Sequence, residues 1–246
     1  MSRILVVQNA PATGLGRFEG WLNENNVATD VVHGSVGLPA SLDGFDGLLL
    51  LGGGFMPSDD AHAAWLPAER ALAAEALGRG LPTLGICLGA QVLALVAGGT
   101  VAADHGAPER GATRITLTET AAHDAVFQHA PASFHAIQNH RDAVTALPPG
   151  AVLLASSERC PIQAFRVGDR AWGVQFHPEI AASRVSTWQA DAVAADGFVL
   201  ATLIARADSE EPNSLQVCRG LADNFAAVVR ETARVSASSG RGPLRF

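Results

Sequence analysis

The chain has 246 residues, of which 48% are hydrophobic and 17% charged, with a formal net charge of −7 at pH 7. That length suits one large domain, or a domain with an appended subdomain, able to bury about 70–75% of the surface of its unfolded chain. The acidic balance, with basic residues scattered singly, excludes a phosphate-tracking surface, so neither nucleic acid nor an anionic membrane is an expected partner.

In chain order, residues 4–7 form an apolar, β-rich run that reads as a first strand, too short for a signal peptide. Residues 16–25 carry Phe18, Trp21 and Leu22 at helical spacing. Residues 29–32 and 48–51 read as the second and third strands, the latter running into Gly52-Gly53-Gly54. A helix is expected over 61–77, with Asp59-Asp60 as its N-cap cluster and Gly78 and Gly80 as stop signals. A fourth strand over 82–86 leads into a helix over 88–96. Short alternating segments follow at 114–118, 151–156, 162–167 and 171–176, the last two joined by the hairpin signal Gly168-Asp169. Helices are expected over 181–195, 197–206 and 214–235. The fold class is therefore α/β: an open, mostly parallel, flavodoxin-like sheet flanked by helices, with an antiparallel extension and a helical C-terminal segment. A single domain spans 1–246, with its core in 1–180, a helical extension over 181–235 and a frayed tail over 236–246. No apolar run approaches the roughly 18 residues of a membrane span, and the expected location is cytoplasmic.

The most informative stretch is Leu84-Gly85-Ile86-Cys87-Leu88-Gly89-Ala90-Gln91. It places a cysteine at a strand-to-helix corner, with glycines two residues before and two after. A nucleophile elbow requires that spacing, because the turn leaves no room for side chains there. The corner sets the sulfur at a helix N-terminus, where free N–H groups and the helix dipole stabilise a thiolate. The competing reading is a small buried hydrophobe, the usual fate of a free cysteine. A cysteine nucleophile needs a base and an orienting carboxylate, and His177-Pro178-Glu179, just after the last strand, offers both two residues apart.

Together, GICLGAQ around Cys87 and GVQFHPE around His177 closely resemble the class I, triad-type glutamine amidotransferases. The resemblance runs from Ile4 to about Glu179 and takes in the glycine loop and Gln138-Asn139-His140-Arg141-Asp142. It implies that Cys87 is the nucleophile, His177 the general base and acid, and Glu179 the group that orients the imidazole. It further implies an oxyanion hole from the backbone N–H of Gly53 or Gly54 and of Leu88. Gln91 and Asn139 match positions that contact bound glutamine, with Arg141 and Asp142 adjoining, although a solvated turn is an equally good reading of those two. No cofactor is implied. The substrate would be glutamine or another γ-glutamyl compound, and a separate synthetase subunit is a possible partner.

Two departures from the family pattern stand out. Gly54 replaces the proline that often follows the second glycine, and about 65 residues of helix stand where a synthetase or ATP-pyrophosphatase domain often follows. The resemblance is to the stand-alone, GMP-synthase-like branch, some of whose members are γ-glutamyl peptidases. Three readings stay open: an ammonia-producing glutaminase, a free-standing γ-glutamyl hydrolase, and a non-catalytic binding module, the last disfavoured by the intact Cys, His and Glu. The three cysteines, at 87, 160 and 218, give no disulfide framework and no metal motif, so Cys160 and Cys218 are expected to be core or loop thiols and no metal site is expected. His33, His62, His105, His123, His129 and His135 are read as structural or solvated, while His140 is left open because of its neighbours.

Overall fold

A computed structural model of the chain describes residues 1–239 apart from Ala12, with only the backbone of 236–239. Of the tail expected to fray, 240–246 therefore lie outside the described residues, and 236–239 continue a helix. The strands are β1 (Ser2–Gln8), β2 (Val27–His33), β3 (Gly47–Leu50), β4 (Thr83–Ile86), β5 (Thr100–Ala102), β6 (Glu109–Leu117), β7 (Ser133–His140), β8 (Ala143–Ala146), β9 (Val152–Ser156), β10 (Ala164–Val167) and β11 (Ala171–Val174). The helices are α1 (Phe18–Glu24), α2 (Leu66–Arg79), α3 (Leu88–Val96), α4 (Ala190–Ala195) and α5 (Leu200–Ser239).

Nine strands form one sheet in the order β2-β1-β3-β4-β11-β10-β9-β6-β7, and β5 and β8 pair separately. The first five run parallel and the remaining neighbours antiparallel, as the sequence pattern leads one to expect. Alternation along the parallel strands divides the core in two. Ile4, Val6, Leu49, Leu84 and Trp172 face one way and pack with Phe18 and Leu22 of α1 and Leu221, Phe225 and Val229 of α5. Leu5, Val7, Leu48 and Leu50 face the other way, onto Leu66, Leu72, Ala73 and Ala76 of α2 and Leu88 and Val92 of α3. Both faces are covered, so these strands read as continuous apolar runs.

Several elements differ from the sequence expectation for identifiable reasons. Helix α2 starts at Leu66, not at residue 61, with Pro67 in its first turn, where its fixed φ and missing N–H are tolerated. Asp59 and Asp60 accordingly do not cap it; Asp59 pairs with His62, and Asp60 with Arg70. The expected helix over 181–195 is a 3₁₀ segment, Ala182–Thr187, followed by the short α4. The two helices expected over 197–206 and 214–235 are one, because the buried stripe of Leu203, Ala207, Ser214, Cys218, Leu221, Phe225 and Val229 holds its period straight through Pro212. A proline in a helix interior costs about 3 kcal/mol, and tertiary packing offsets it here. Strands β5 and β8 are only three and four residues long, and β7 alternates over just four residues before its buried polar Gln138 and His140; all three lie outside the sequence expectation.

The carboxyl ends of β1, β3, β4 and β11 meet at one edge, where open α/β sheets place their crevice. Below that edge lies a buried polar knot. Asn9, just past β1, donates through Nδ2 to the Leu51 carbonyl (3.0 Å) and to Glu69 Oε1 of α2 (3.0 Å), and accepts from Trp65 Nε1 (2.8 Å). It thereby fixes the start of the glycine loop from beneath. Glu69 is fully buried, its Oε2 has no hydrogen-bond partner, and burial pushes its carboxyl from the ordinary 4.5 up to about 7 despite the Asn9 bond and Arg70 nearby.

Two outcomes follow from this architecture. A Cβ on Gly89 would lie 2.2 Å from the Leu50 carbonyl oxygen, a backbone atom with no room to yield; Gly89→Ala is expected to lower the stability measured in urea by about 2–3 kcal/mol. Glu69 stays neutral in the fold while the unfolded chain ionises it, so it lowers stability progressively as pH rises from 4.5 to about 7. Comparing urea melts at pH 4.5 and 8, Glu69→Gln should gain about 3 kcal/mol relative to the unaltered protein across that interval, at ~1.4 kcal/mol per pH unit; parallel pH dependences would contradict it.

Candidate active site

The local chain around Cys87 is held by backbone contact on every side. Cys87 has φ +53° and ψ −109°, outside the comfortable range for a residue with a Cβ, and directly precedes α3. Its N–H donates to the Val174 carbonyl of β11 (2.8 Å) and its carbonyl accepts from Gln91 N (3.0 Å). A Cβ on Gly85 would meet the Gly89 carbonyl oxygen at 2.4 Å, so the glycine before the corner lets the first turn of α3 fold back over β4. Gly89 lets the same turn press against β3. The two glycines flanking Cys87 are thus required by close approach, as the elbow reading expects.

His177 arrives from β11. That strand ends at Val174, two residues earlier than expected, because Gln175 N turns to the Gln163 carbonyl (2.8 Å) and His177 N to Ile137 O of β7 (2.8 Å). The redirected chain carries the imidazole back over β4 and beside Cys87, and its Nδ1 donates to Glu179 Oε1 at 2.7 Å. Gly52 lies against this pair, since a Cβ there would come within 3.0 Å of His177 Cε1 and 3.5 Å of Cys87 Cβ. All three side chains are buried: Cys87 is 7% exposed, His177 5% and Glu179 2%. Burial works against a charged imidazole, but the Glu179 carboxylate and the Cys87 sulfur outweigh it and hold His177 well above its ordinary value. The arrangement favours an imidazolium at His177, beside Glu179 and Cys87.

Glu179 is fixed by groups far away in sequence. A Cβ on Gly16, where φ is +50°, would strike the Glu179 carbonyl oxygen at 2.2 Å, and Arg17 N donates to that same oxygen (3.0 Å). The Arg17 guanidinium reaches the Ile180 carbonyl (2.5 Å) and Glu211 Oε1 of α5 (2.9 Å), while Glu211 Oε2 accepts from Ala182 N (3.2 Å). The C-terminal helix therefore anchors the turn that presents Glu179. No sequence signal announces Arg17 or Glu211, which meet across 194 residues.

Beside Cys87 lies a cavity of about 250 Å³, lined by Gly53, Gly54, Gln91, Asn139, Arg141 and Asp142 among others. Every expected substrate-side residue but Leu88, which is buried as the first residue of α3, borders this space. Gln91 Nε2 is engaged by the protein, donating to Gln175 Oε1 (3.1 Å) and the Asp142 carbonyl (3.1 Å). Asn139 Oδ1 accepts from Arg110, and Asp142 Oδ1 accepts from Asp104 N (3.0 Å). Arg110, which no sequence motif places in the site, and His140, left open by its neighbours, also line the cavity. His140 contacts the Asp142 carbonyl and Glu109 Oε2, each at 3.1 Å.

Glu109, His140 and Cys160 are all buried and bring ligand-type atoms within 4.8 Å of one another, the grouping among the described residues that could hold a metal ion. The Glu109 carboxylate already accepts bonds from Ser157 Oγ (2.7 Å), Gln163 Nε2 (2.6 Å) and His140. Burial, with the Glu109 charge, pushes the Cys160 thiol up to about 12, which keeps it protonated. The three behave as a satisfied polar cluster supporting His140. Among the described residues, no helix is long and apolar enough to cross a membrane.

Comparison with known proteins bears on this geometry. The family model described as glutamine amidotransferase class-I matches residues 21–190. A glutamine-hydrolysing GMP synthase subunit from Thermoplasma acidophilum is 34% identical over 184 residues, covering 73% of this chain and 85% of that protein. The glutamine-hydrolysing GMP synthase of Porphyromonas gingivalis is 38% identical over 151 residues, 61% of this chain, and the match spans only 28% of its length. A solved glutamine amidotransferase from Thermotoga maritima has a TM-score of 0.81 at 27% identity, covering 92% of this chain and 98% of that one. Another, from Methylobacillus flagellatus, has a TM-score of 0.80 at 26% identity, covering 94% and 95%. With the family model matching well over half of its length, and the elbow and the His-Glu turn meeting where that fold places its crevice, the chain belongs to the class I glutamine amidotransferase family.

Proposed function

We propose that the protein hydrolyses the side-chain amide of glutamine to glutamate and ammonia through a γ-glutamyl thioester on Cys87. The observation that carries this reading is the placing of His177 beside Cys87, both against Gly52, while its Nδ1 is held by Glu179 at 2.7 Å. A free thiol, with a pKa near 8.5, is only a few per cent ionised at pH 7. Passing the Cys87 proton to an imidazole that the Glu179 carboxylate stabilises gives a thiolate–imidazolium pair ready for attack. The thiolate adds to the γ-carbon of the amide, and the carbonyl electrons move onto oxygen. Backbone N–H groups of Gly53 or Gly54 and of Leu88 receive that oxyanion, a contribution of roughly 3 kcal/mol for each donor. His177 gives its proton to the departing nitrogen, the C–N bond breaks, and ammonia leaves. The same imidazole then takes a proton from water, which adds to the thioester; collapse returns the proton to sulfur and releases glutamate.

Asn139, Arg141 and Asp142 would hold the amino-acid end of the substrate in the adjoining cavity, and Gln91 would set the shape of its wall through Gln175. The subunit-sized relative from Thermoplasma acidophilum supports a separate ammonia-consuming synthetase as partner. No cofactor takes part in these steps. A cytoplasmic setting fits three unpaired cysteines, all buried.

Cys87→Ala is expected to abolish glutamate release from glutamine. His177→Asn and Glu179→Gln should each lower it by about 10²–10⁴-fold, with melting temperatures that show an intact fold. Each is assayed alone and with a separate ATP-dependent synthetase subunit. Full turnover by Cys87→Ala would overturn the proposal. Faster turnover of γ-glutamyl peptides than of glutamine, without a partner, would shift the reading to a γ-glutamyl hydrolase using the same three residues.

A further inference from the structure

The segment after Glu179 contributes a side chain that pairs with two residues of the cavity wall and that the proposed chemistry does not use. Asp196, at the C-terminal end of α4, has a carboxylate only 4% exposed that pairs with two arginines at once. Its Oδ2 takes Arg110 Nε of β6 and its Oδ1 takes Arg141 Nη2. These two ion pairs hold its carboxyl below the ordinary range against the opposing effect of burial. Both arginines line the cavity beside Cys87. Arg110 also donates through Nη1 to Asn139. Among the described residues, Arg110 Nη2 and the Nε and Nη1 of Arg141 have no protein acceptor.

Two guanidinium groups share one carboxylate, so the Arg110–Arg141–Asp196 cluster carries a net positive charge, in a chain whose overall charge is −7. A single buried carboxylate that engages both arginines holds them side by side with donors to spare, a geometry suited to a second carboxylate. Asp142, on the same cavity, has one oxygen engaged by Asp104 N and offers the complementary charge for an ammonium. Asp196 lies beyond residues 21–190, so the family match does not include it.

We propose that Asp196, by aligning Arg110 beside Arg141, makes Arg110 a further anchor for the α-carboxylate of the γ-glutamyl substrate. The site thereby selects compounds that keep the free amino-acid end of glutamate over simple amides. Asp196 is a positioning residue acting through the two arginines. The inference rests on the glutamine reading above and deepens it.

The test reads binding without requiring turnover or a partner. Cys87 is labelled with a glutamine-like chloroketone, and protection is titrated with glutamine, with 4-aminobutanamide, which lacks the α-carboxylate, and with glutaramate, which lacks the amine. In the unaltered protein, glutamine should protect at concentrations about tenfold or more below those needed for 4-aminobutanamide, since a hydrogen bond to a charged group contributes about 1.5–3 kcal/mol. Arg110→Met and Asp196→Asn should weaken glutamine protection by a similar factor and erase its advantage over 4-aminobutanamide. Both variants should keep the unprotected rate of Cys87 alkylation by iodoacetamide, which a damaged elbow would change. Equal protection by glutamine and 4-aminobutanamide in the unaltered protein would overturn the anchor while leaving the glutamine reading intact, a comparison that needs no variant. No protection by glutamine at all would overturn both.

Discussion

The chain reverses at Cys87 with φ +53°, wedged between β3, β4, β11 and the first turn of α3, and the rest of the site is arranged around that corner. A residue in such a conformation is strained by about 1–3 kcal/mol, and it persists because its surroundings leave no alternative. Its N–H is taken by Val174, and the chain two residues to either side lies in backbone contact with neighbouring elements. The strain serves a geometric end. It turns the sulfur out of the sheet and toward an imidazole, at the point where a helix begins. The same close packing brings Gly52 against both Cys87 and His177, so the glycine loop and the nucleophile are located by a single set of contacts.

The other half of the site is assembled by a different kind of force. Cys87 is fixed by short-range steric contact, whereas Glu179 is fixed by the close approach of Gly16 and by polar ties running to Arg17 and Glu211, at opposite ends of the chain. Helix α5 therefore has two roles. Its apolar stripe covers one face of the sheet, with Phe225 packed edge-on against Trp172, and Glu211 secures the turn that carries the imidazole's carboxylate. Burying a histidine and a glutamate together costs desolvation for each, and the cost is tolerable only while their bond is held in good geometry. These distant anchors maintain that geometry.

The parts of this arrangement written in neighbouring residues are legible in the sequence. Two glycines around a cysteine, and a histidine and glutamate two residues apart, report local geometry directly. The parallel strands announce themselves as apolar runs, and α3 begins and ends as its pattern says. What escapes a sequence reading depends on long-range pairing. Strand β7 alternates only over residues 133–136 and then buries the polar Gln138 and His140, so its pattern is too short to read as a strand. Arg110 meets Asp196 across 86 residues, and Asn9 meets Glu69 across 60, with no spacing to betray either. Pro212 reads as a helix stop, yet it lies on the exposed side of α5 while the buried stripe continues past it. In each case a tertiary contact overrides a local signal.

All of the proposed chemistry passes through one covalent bond, between Cys87 Sγ and the γ-carbon of the substrate. Acid quenching of the protein during incubation with glutamine, followed by peptide mass spectrometry, reads that bond directly. The expected result is a γ-glutamyl group on the peptide containing Cys87, labile to hydroxylamine as a thioester is, and absent from Cys87→Ala. A γ-glutamyl group on any other residue, or glutamate formed by Cys87→Ala at the unaltered rate, would contradict it.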